Sequence, residues 1–333
     1  METQMVPMDR RIYWVDFAKS FGVFLVFWGH TLLYGGGQFG NDVNKIIYSF
    51  HMPMFFILSG YVAKPESTPF RQFVKKRFAR VLLPALILYI ITLPLYFISN
   101  WSNISLTSFF VDFFYVRGVC AYNRPVWFFI CLFQLLLLVK ILDLTNAKTS
   151  KLIVFCISCL ILSYIMYVFR IKFFNLLGLN KSIIGLFFYI FGMLLRRTNY
   201  DKGRNSFIFS ICALPIWILS GVILNPKVSM HNVFLGNYWL FITSGISGSI
   251  VFFTICKLFE KIAFIREYAK WTIFIICSHY ILVSFLHIIS ANYPFVNTYV
   301  YAILSCCFVT VSLIIYKPIC IWLEKHFPYV IGK

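Results

Sequence analysis

The residues able to do chemistry gather in the first quarter of the chain. Lys19 precedes His30 by 11 positions, a spacing that returns to nearly the same face of an α-helix about 16 Å further along its axis. A cation at one mouth and an imidazole deeper in then point into one channel. That geometry suits an extended anionic donor entering on the lysine side, with a proton-transfer group at its reacting end. Imidazole is the natural base, because its unperturbed pKa is near neutrality. The same spacing also suits a Lys19 that snorkels to lipid headgroups and a His30 that hydrogen-bonds a neighbouring helix. His51 reaches a similar depth when counted from the opposite end of the next apolar segment, so the two imidazoles can share one cavity. Arg77 and Arg80 stand at i, i+3 in a basic run with Arg71, Lys75 and Lys76. Paired guanidiniums bind phosphate bidentately, which makes the nucleotide-diphosphate portion of coenzyme A a reasonable guest. A run of this kind also anchors a protein to anionic lipid.

The elements that must carry these groups are membrane helices. Of 333 residues, 60% are hydrophobic and only 12% are charged, and mean hydropathy is +0.82. A soluble domain carries about a quarter charged residues, so an ordinary globular protein is excluded. Ten apolar stretches fall near 13–35, 45–63, 81–99, 125–142, 152–169, 181–196, 206–224, 237–256, 271–290 and 297–316. Each is near the length of about 20 residues that crosses the hydrocarbon, the sixth being short. They predict an all-α polytopic protein of about ten transmembrane helices forming one membrane domain over residues 1–333.

The net charge of +19 raises nucleic acid as a partner, but the distribution of the cations answers it. With the N-terminus inside, cytoplasmic segments hold 22 of the 30 Lys and Arg, external segments hold seven, and Lys19 lies within the first span. Basic residues are retained on the cytoplasmic side, so the asymmetry predicts N-in and C-in termini in a cell (inner) membrane, with lipid and no nucleic acid as the surroundings. No small-residue cleavage site follows the first span, which reads as retained. The longest external connection, Asn100 to Arg124, is rich in Phe and Tyr and reads as an interfacial helix, with a re-entrant segment as the alternative. Cys156 and Cys159 have C-x-x-C spacing but no companion ligands, so they read as small buried hydrophobes, and no metal site is expected.

Three linked segments carry a resemblance. Ile12-Tyr13-Trp14-Val15-Asp16-Phe17-Ala18-Lys19-Ser20 through Gly29-His30 resembles the opening segment of the integral-membrane acyltransferase family 3, with its Arg/Lys-x10-His motif. Phe50-His51-Met52-Pro53-Met54-Phe55-Phe56-Ile57-Leu58-Ser59-Gly60-Tyr61 resembles the family's second signature. Arg77-Phe78-Ala79-Arg80, followed by Pro84, resembles its Arg-x-x-Arg segment, with weaker echoes at Val126 to Phe129 and Ile276 to His279. The resemblance implies an O-acyltransferase, most commonly an O-acetyltransferase. It would move an acyl group from acetyl-CoA or another acyl-CoA to a hydroxyl of a cell-envelope saccharide, lipid-linked or free. His30 would be the catalytic base and His51 would orient or polarise it, while Lys19, Arg77 and Arg80 would hold the donor. Lys19 stands where Arg is commoner, and it keeps the charge while losing the planar fork. Asp16 would assist His30 or pair with Lys19, and Ser59 is an alternative acyl carrier. Trp127 and Tyr61 would stack on sugar or anchor at the interface, and Ser278, His279 and His287 read as packing residues. Pro53 and Gly60 predict a broken or kinked second span. The competing class is a transporter or flippase for a lipid-linked saccharide, which needs the same helices and buried histidines.

Overall fold

The computed structural model describes residues 11–99, 107, 123–292 and 297–333. Most of the external connection expected to form an interfacial helix lies outside them. The described chain is helical throughout, and its one β-type pairing is an isolated bridge between Ser229 and Phe234. The helices in chain order are α1 (Tyr13–Leu32), α2 (Gly37–Tyr48), α3 (His51–Tyr61), α4 (Phe70–Arg77), α5 (Leu83–Ser99) and α6 (Val126–Ile141). There follow α7 (Thr149–Val168), α8 (Leu179–Arg197), α9 (Asn205–Trp217), α10 (Tyr238–Leu258), α11 (Ala263–Arg266), α12 (Thr272–Asn292) and α13 (Thr298–His326).

Each of the ten apolar stretches is helical, and seven helices among the described residues are long and apolar enough to cross a membrane. Three stretches depart from the expected span. α1 has 20 residues but carries Asp16, Lys19 and His30, and α6 has only 16. The second stretch is cut in two, into α2 and α3, at Ser49 and Phe50. Phe50, with φ −140° and ψ −20°, leaves the helical region. The break falls one turn before Pro53, which occupies the first turn of α3, where a backbone N–H has no intrahelical partner to lose.

The half-length α3 is enclosed on nearly all sides, with Met54, Phe56 and Ile57 fully buried. Its closest neighbour is α8, and two glycines explain how near they come. A Cβ on Gly60 would stand 1.8 Å from the Tyr189 carbonyl oxygen, and one on Gly192 would stand 2.1 Å from that of Ile57. Backbone therefore packs directly on backbone, the close approach that small residues permit between membrane helices. Exposed Ile153, Val154 and Ile157 on α7, Ile208 and Ile211 on α9, and Ile303 and Ile314 on α13 form the outer apolar faces suited to lipid.

α1 runs through the bundle against α10, α12 and α13. The Trp28 indole donates to Ser305 Oγ at 3.1 Å and the Tyr301 hydroxyl to the Thr31 carbonyl at 2.9 Å. Asn123 ties the start of α6 to α5 and α12, donating to Thr92 Oγ1 at 3.1 Å and to the Cys277 carbonyl at 2.9 Å. These bonds fix α1, α6 and α12 around one interior, where polar groups without partners would be costly. Cys156 and Cys159 are buried on α7, against the rest of the core.

Candidate active site

A cavity of about 500 Å³ opens at the Lys19 end of α1. Lys19, Lys64, Lys76, Arg77 and Lys140 line it, with Glu66 the one carboxylate among the described lining residues. The loop before α4 is organised around that carboxylate. Thr68 donates to Glu66 from its backbone N–H at 3.2 Å and its hydroxyl at 2.7 Å, and Arg77 pairs with it at 3.6 Å. Lys140 reaches across from α6 to donate to the Glu66 carbonyl at 2.9 Å. Burial pushes the Glu66 carboxyl up, but the Thr68 hydrogen bonds and the charges of Lys76 and Arg77 outweigh it and hold the group below its ordinary range. Arg77 Nε is buried without a hydrogen-bond partner. Five cations, one carboxylate and an unsatisfied guanidinium nitrogen fit a phosphate-rich ligand.

Arg80 does not share this cavity. A π-helical turn at Phe78–Leu82 joins α4 to α5 and widens the helix between the two arginines, so the i, i+3 alignment expected of a regular helix is lost. Arg77 faces the cavity, half-buried, and Arg80 is exposed outside its lining. Ser59 lines the cavity, its hydroxyl donating to the Phe55 carbonyl at 2.8 Å. Asp16 forms an ion pair with Arg11.

A second cavity, about 370 Å³, shares Lys19 and Ser59 with the first and reaches Phe55 and Phe128. Those two rings also wall a third, much smaller chamber of about 50 Å³ that holds His30 and His51. The sharing of an interior by these two histidines, expected from their depths, depends on the break before α3, which sets His51 at a helix start. His51 Nδ1 donates to the Ile47 carbonyl at 3.1 Å, leaving Nε2 as the acceptor. His30 is half-buried and makes no hydrogen bond among the described residues. Its ring lies 6.3 Å from that of Tyr48, 5.7 Å from Tyr280 and 5.3 Å from His279. Among the described residues, no three His, Cys, Asp or Glu side chains are grouped to hold a metal ion.

His279 is the residue that sequence reasoning passed over as packing. Its Nδ1 lies 2.8 Å from the Ile276 carbonyl and 3.2 Å from that of Ile275. Carbonyls only accept, so Nδ1 carries the proton and Nε2 presents a lone pair, buried and without a partner. A histidine inside an apolar span was the available signal; that span was too far along the chain to connect with His30. Ser278 does pack, donating to the Phe274 carbonyl at 2.7 Å. His287 stacks on Tyr34 at 4.2 Å, outside the chamber lining.

Beyond His30 the interior opens into a cavity of about 410 Å³ bounded by Tyr48, Arg124, Trp127, Lys227 and His231. Trp127 stands between this cavity and the histidine chamber. Tyr61 is instead a core residue at the opposite end, its ring 5.0 Å from Trp14, and lines none of these cavities.

No curated protein and no solved structure matches the chain. The family model for an acyltransferase domain matches residues 12–317, nearly the whole chain, and takes in Lys19, His30, His51, Arg77, Arg124, Lys227 and His279. A polytopic helical bundle matched over that length is a multi-pass membrane acyltransferase, and the chain belongs to acyltransferase family 3.

Proposed function

We propose that the protein is a membrane-bound O-acyltransferase that takes a short acyl group, acetyl in the simplest case, from acyl-CoA. The acceptor is a hydroxyl of a cell-envelope or lipid-linked saccharide. The observation that supports this reading is a row of cavities that share walls through the interior. The cationic cavity at Lys19 and Arg77 adjoins a second that is separated from the His30 chamber by Phe55 and Phe128, and His30 also lines the cavity at the other end of the bundle. In this reading Arg77, Lys76, Lys64, Lys140 and Lys19 hold the donor phosphates. The pantetheine arm runs toward the small chamber, whose volume is one tenth of the donor cavity and therefore favours a short acyl group.

His30 removes the proton from the acceptor hydroxyl as that oxygen attacks the thioester carbonyl. The C–S bond breaks, and the departing thiolate takes the proton from His30, so the base is regenerated with free CoA thiol. His51 and His279 position His30, each with Nδ1 fixed on backbone carbonyls and Nε2 turned to accept. The ten apolar helical stretches span the cell (inner) membrane with both termini cytoplasmic, which places Lys19 and Arg77 where acyl-CoA is available. The test is ester-linked acetate on envelope saccharides from cells with no copy, the intact protein or His30→Ala, at equal membrane levels. Acetate that depends on intact His30 is the expected result; equal acetate in all three strains overturns the reading.

A further inference from the structure

The interior beyond His30 has a charge pattern that plain sugar binding does not need. The loop between α9 and α10 folds into a short hairpin, with Ser229 and Phe234 exchanging backbone hydrogen bonds of 2.7 and 3.0 Å. Asn225 ties its base, donating to the Leu235 carbonyl at 3.0 Å and accepting from the Asn237 backbone N–H at 2.8 Å. This hairpin places Lys227, His231 and Asn232 over the mouth. Two cavities adjoin there, about 410 and 620 Å³, and share His231, Asn232 and Phe234. Arg124 and Lys227 line the one beside His30, and Arg170 and Lys181 line its continuation. No carboxylate is among the described lining residues of either.

Two of these cations are held by rings: Lys227 Nζ lies 5.6 Å above Tyr48 and Lys181 Nζ 5.7 Å above Trp127. The concentration is notable because this end of the bundle is poor in cations. Of the seven Lys and Arg that the charge asymmetry assigns to it, four converge on these two cavities. Aromatic rings and amides such as Trp127, Asn175 and Asn180 suffice to bind a neutral sugar. Four cations lining two adjoining cavities can each offer charge-assisted hydrogen bonds, which an oxyanion accepts more strongly than a neutral hydroxyl does.

We propose that the acceptor is an anionic saccharide whose carboxylate or phosphate is held by Arg124 and Lys227 while its hydroxyl meets His30. Arg170 and Lys181 line the path along which further charge of a longer acidic chain runs. This rests on the acyl-transfer reading above and narrows its acceptor.

The test uses cells carrying the intact full-length protein, His30→Ala, the double variant Arg124→Gln with Lys227→Gln, or the charge-keeping double variant Arg124→Lys with Lys227→Arg. All are compared at equal membrane levels. Acyl-bearing envelope oligosaccharides are sequenced by mass spectrometry, and binding of radiolabelled acetyl-CoA to the same membranes is measured. Carboxyl reduction and dephosphorylation of the oligosaccharides then distinguish uronate from phosphate. The expected result is a His30-dependent ester on a unit bearing an acidic group. The glutamine pair should lower it at least tenfold with acetyl-CoA binding unchanged, and the charge-keeping pair should retain most of it.

A His30-dependent ester on an uncharged saccharide overturns the proposal and leaves acyl transfer standing. An ester yield unaffected by the glutamine pair does the same, and would assign the cations to lipid headgroups. Absence of any His30-dependent ester overturns the acyl-transfer reading, and this proposal with it.

Discussion

Removing the His279 ring should slow the chemical step without weakening donor binding. With Nδ1 committed to the carbonyls of Ile275 and Ile276, Nε2 is a buried acceptor 1% exposed at the residue level and 5.3 Å, ring to ring, from His30. Such an acceptor costs about 1–3 kcal/mol while unsatisfied, and returns a similar amount when a reacting group donates to it. If His30 supplies that donor during transfer, the loss on truncation is about 5- to 150-fold in kcat. Loss of the base itself, in His30→Ala, is larger, about 100- to 10,000-fold. His279 does not line the cationic donor cavity, so the KM for acyl-CoA should stay within about twofold, since its binding contacts are untouched.

The assay is release of CoA thiol by full-length protein in proteoliposomes with an extracted acceptor, measuring kcat and KM separately. His279→Phe keeps most of the ring volume and lacks the acceptor, so it should behave like His279→Ala. His279→Gln can present an amide oxygen and should recover part of the rate. A folded His279→Phe protein with kcat within twofold of the parent would refute the role assigned to this nitrogen. A loss confined to the thermal midpoint would refute it equally.

Three further outcomes follow from the geometry. Arg77→Ala should raise the KM for acyl-CoA about tenfold or more, and Arg80→Ala much less, because only Arg77 faces the cationic cavity; initial-rate titration of the donor separates them. Gly60→Ala should cost about 3 kcal/mol or more of stability, beyond ordinary overpacking, because its methyl would meet the Tyr189 carbonyl 1.8 Å away; the thermal midpoint in detergent reads this. Glu66, held below its ordinary carboxyl pKa, contributes stability that is complete above the unfolded value and is lost as pH falls through the lower folded value. Glu66→Gln should therefore flatten the acid limb of thermal stability between about pH 5 and pH 3, as a pH series of melting curves will report.

The helical architecture was legible because hydrocarbon imposes a length and a composition that no soluble fold shares. That His30 and His51 could share one chamber was legible too, from axial rise, although the break that completes it was not. What escaped were events within one turn of backbone. Pro53 and Gly60 announced an interruption of the second stretch, but the break lies at Ser49 and Phe50, while Pro53 opens α3 and Gly60 serves close packing. The spacing of Arg77 and Arg80 implied a common face, which the π-helical turn between them removes. Contacts between distant spans were also invisible. Nothing in the order of residues says that His279 faces His30, or that a hairpin near residue 231 closes over the same interior, because these pairings are set by helix packing across some 200 residues or more.

The division of the second span has an electrostatic consequence. A membrane helix ordinarily keeps its N-terminus in the wet interface, where water satisfies the first amides. α3 begins inside the bundle, and its first residues, His51 and Met52, wall the small chamber. The opening turn of a helix carries unsatisfied N–H groups and about half a unit of positive charge, here one amide fewer because of Pro53. In a low-dielectric interior that partial charge acts over a longer range than it would at a surface. It is present before any substrate arrives and requires no cationic side chain beside His30. In the proposed reaction, negative charge on the attacked carbonyl would form near that helix end, with the C-terminal carbonyls of α2 held on the other side of the break by the His51 hydrogen bond to Ile47.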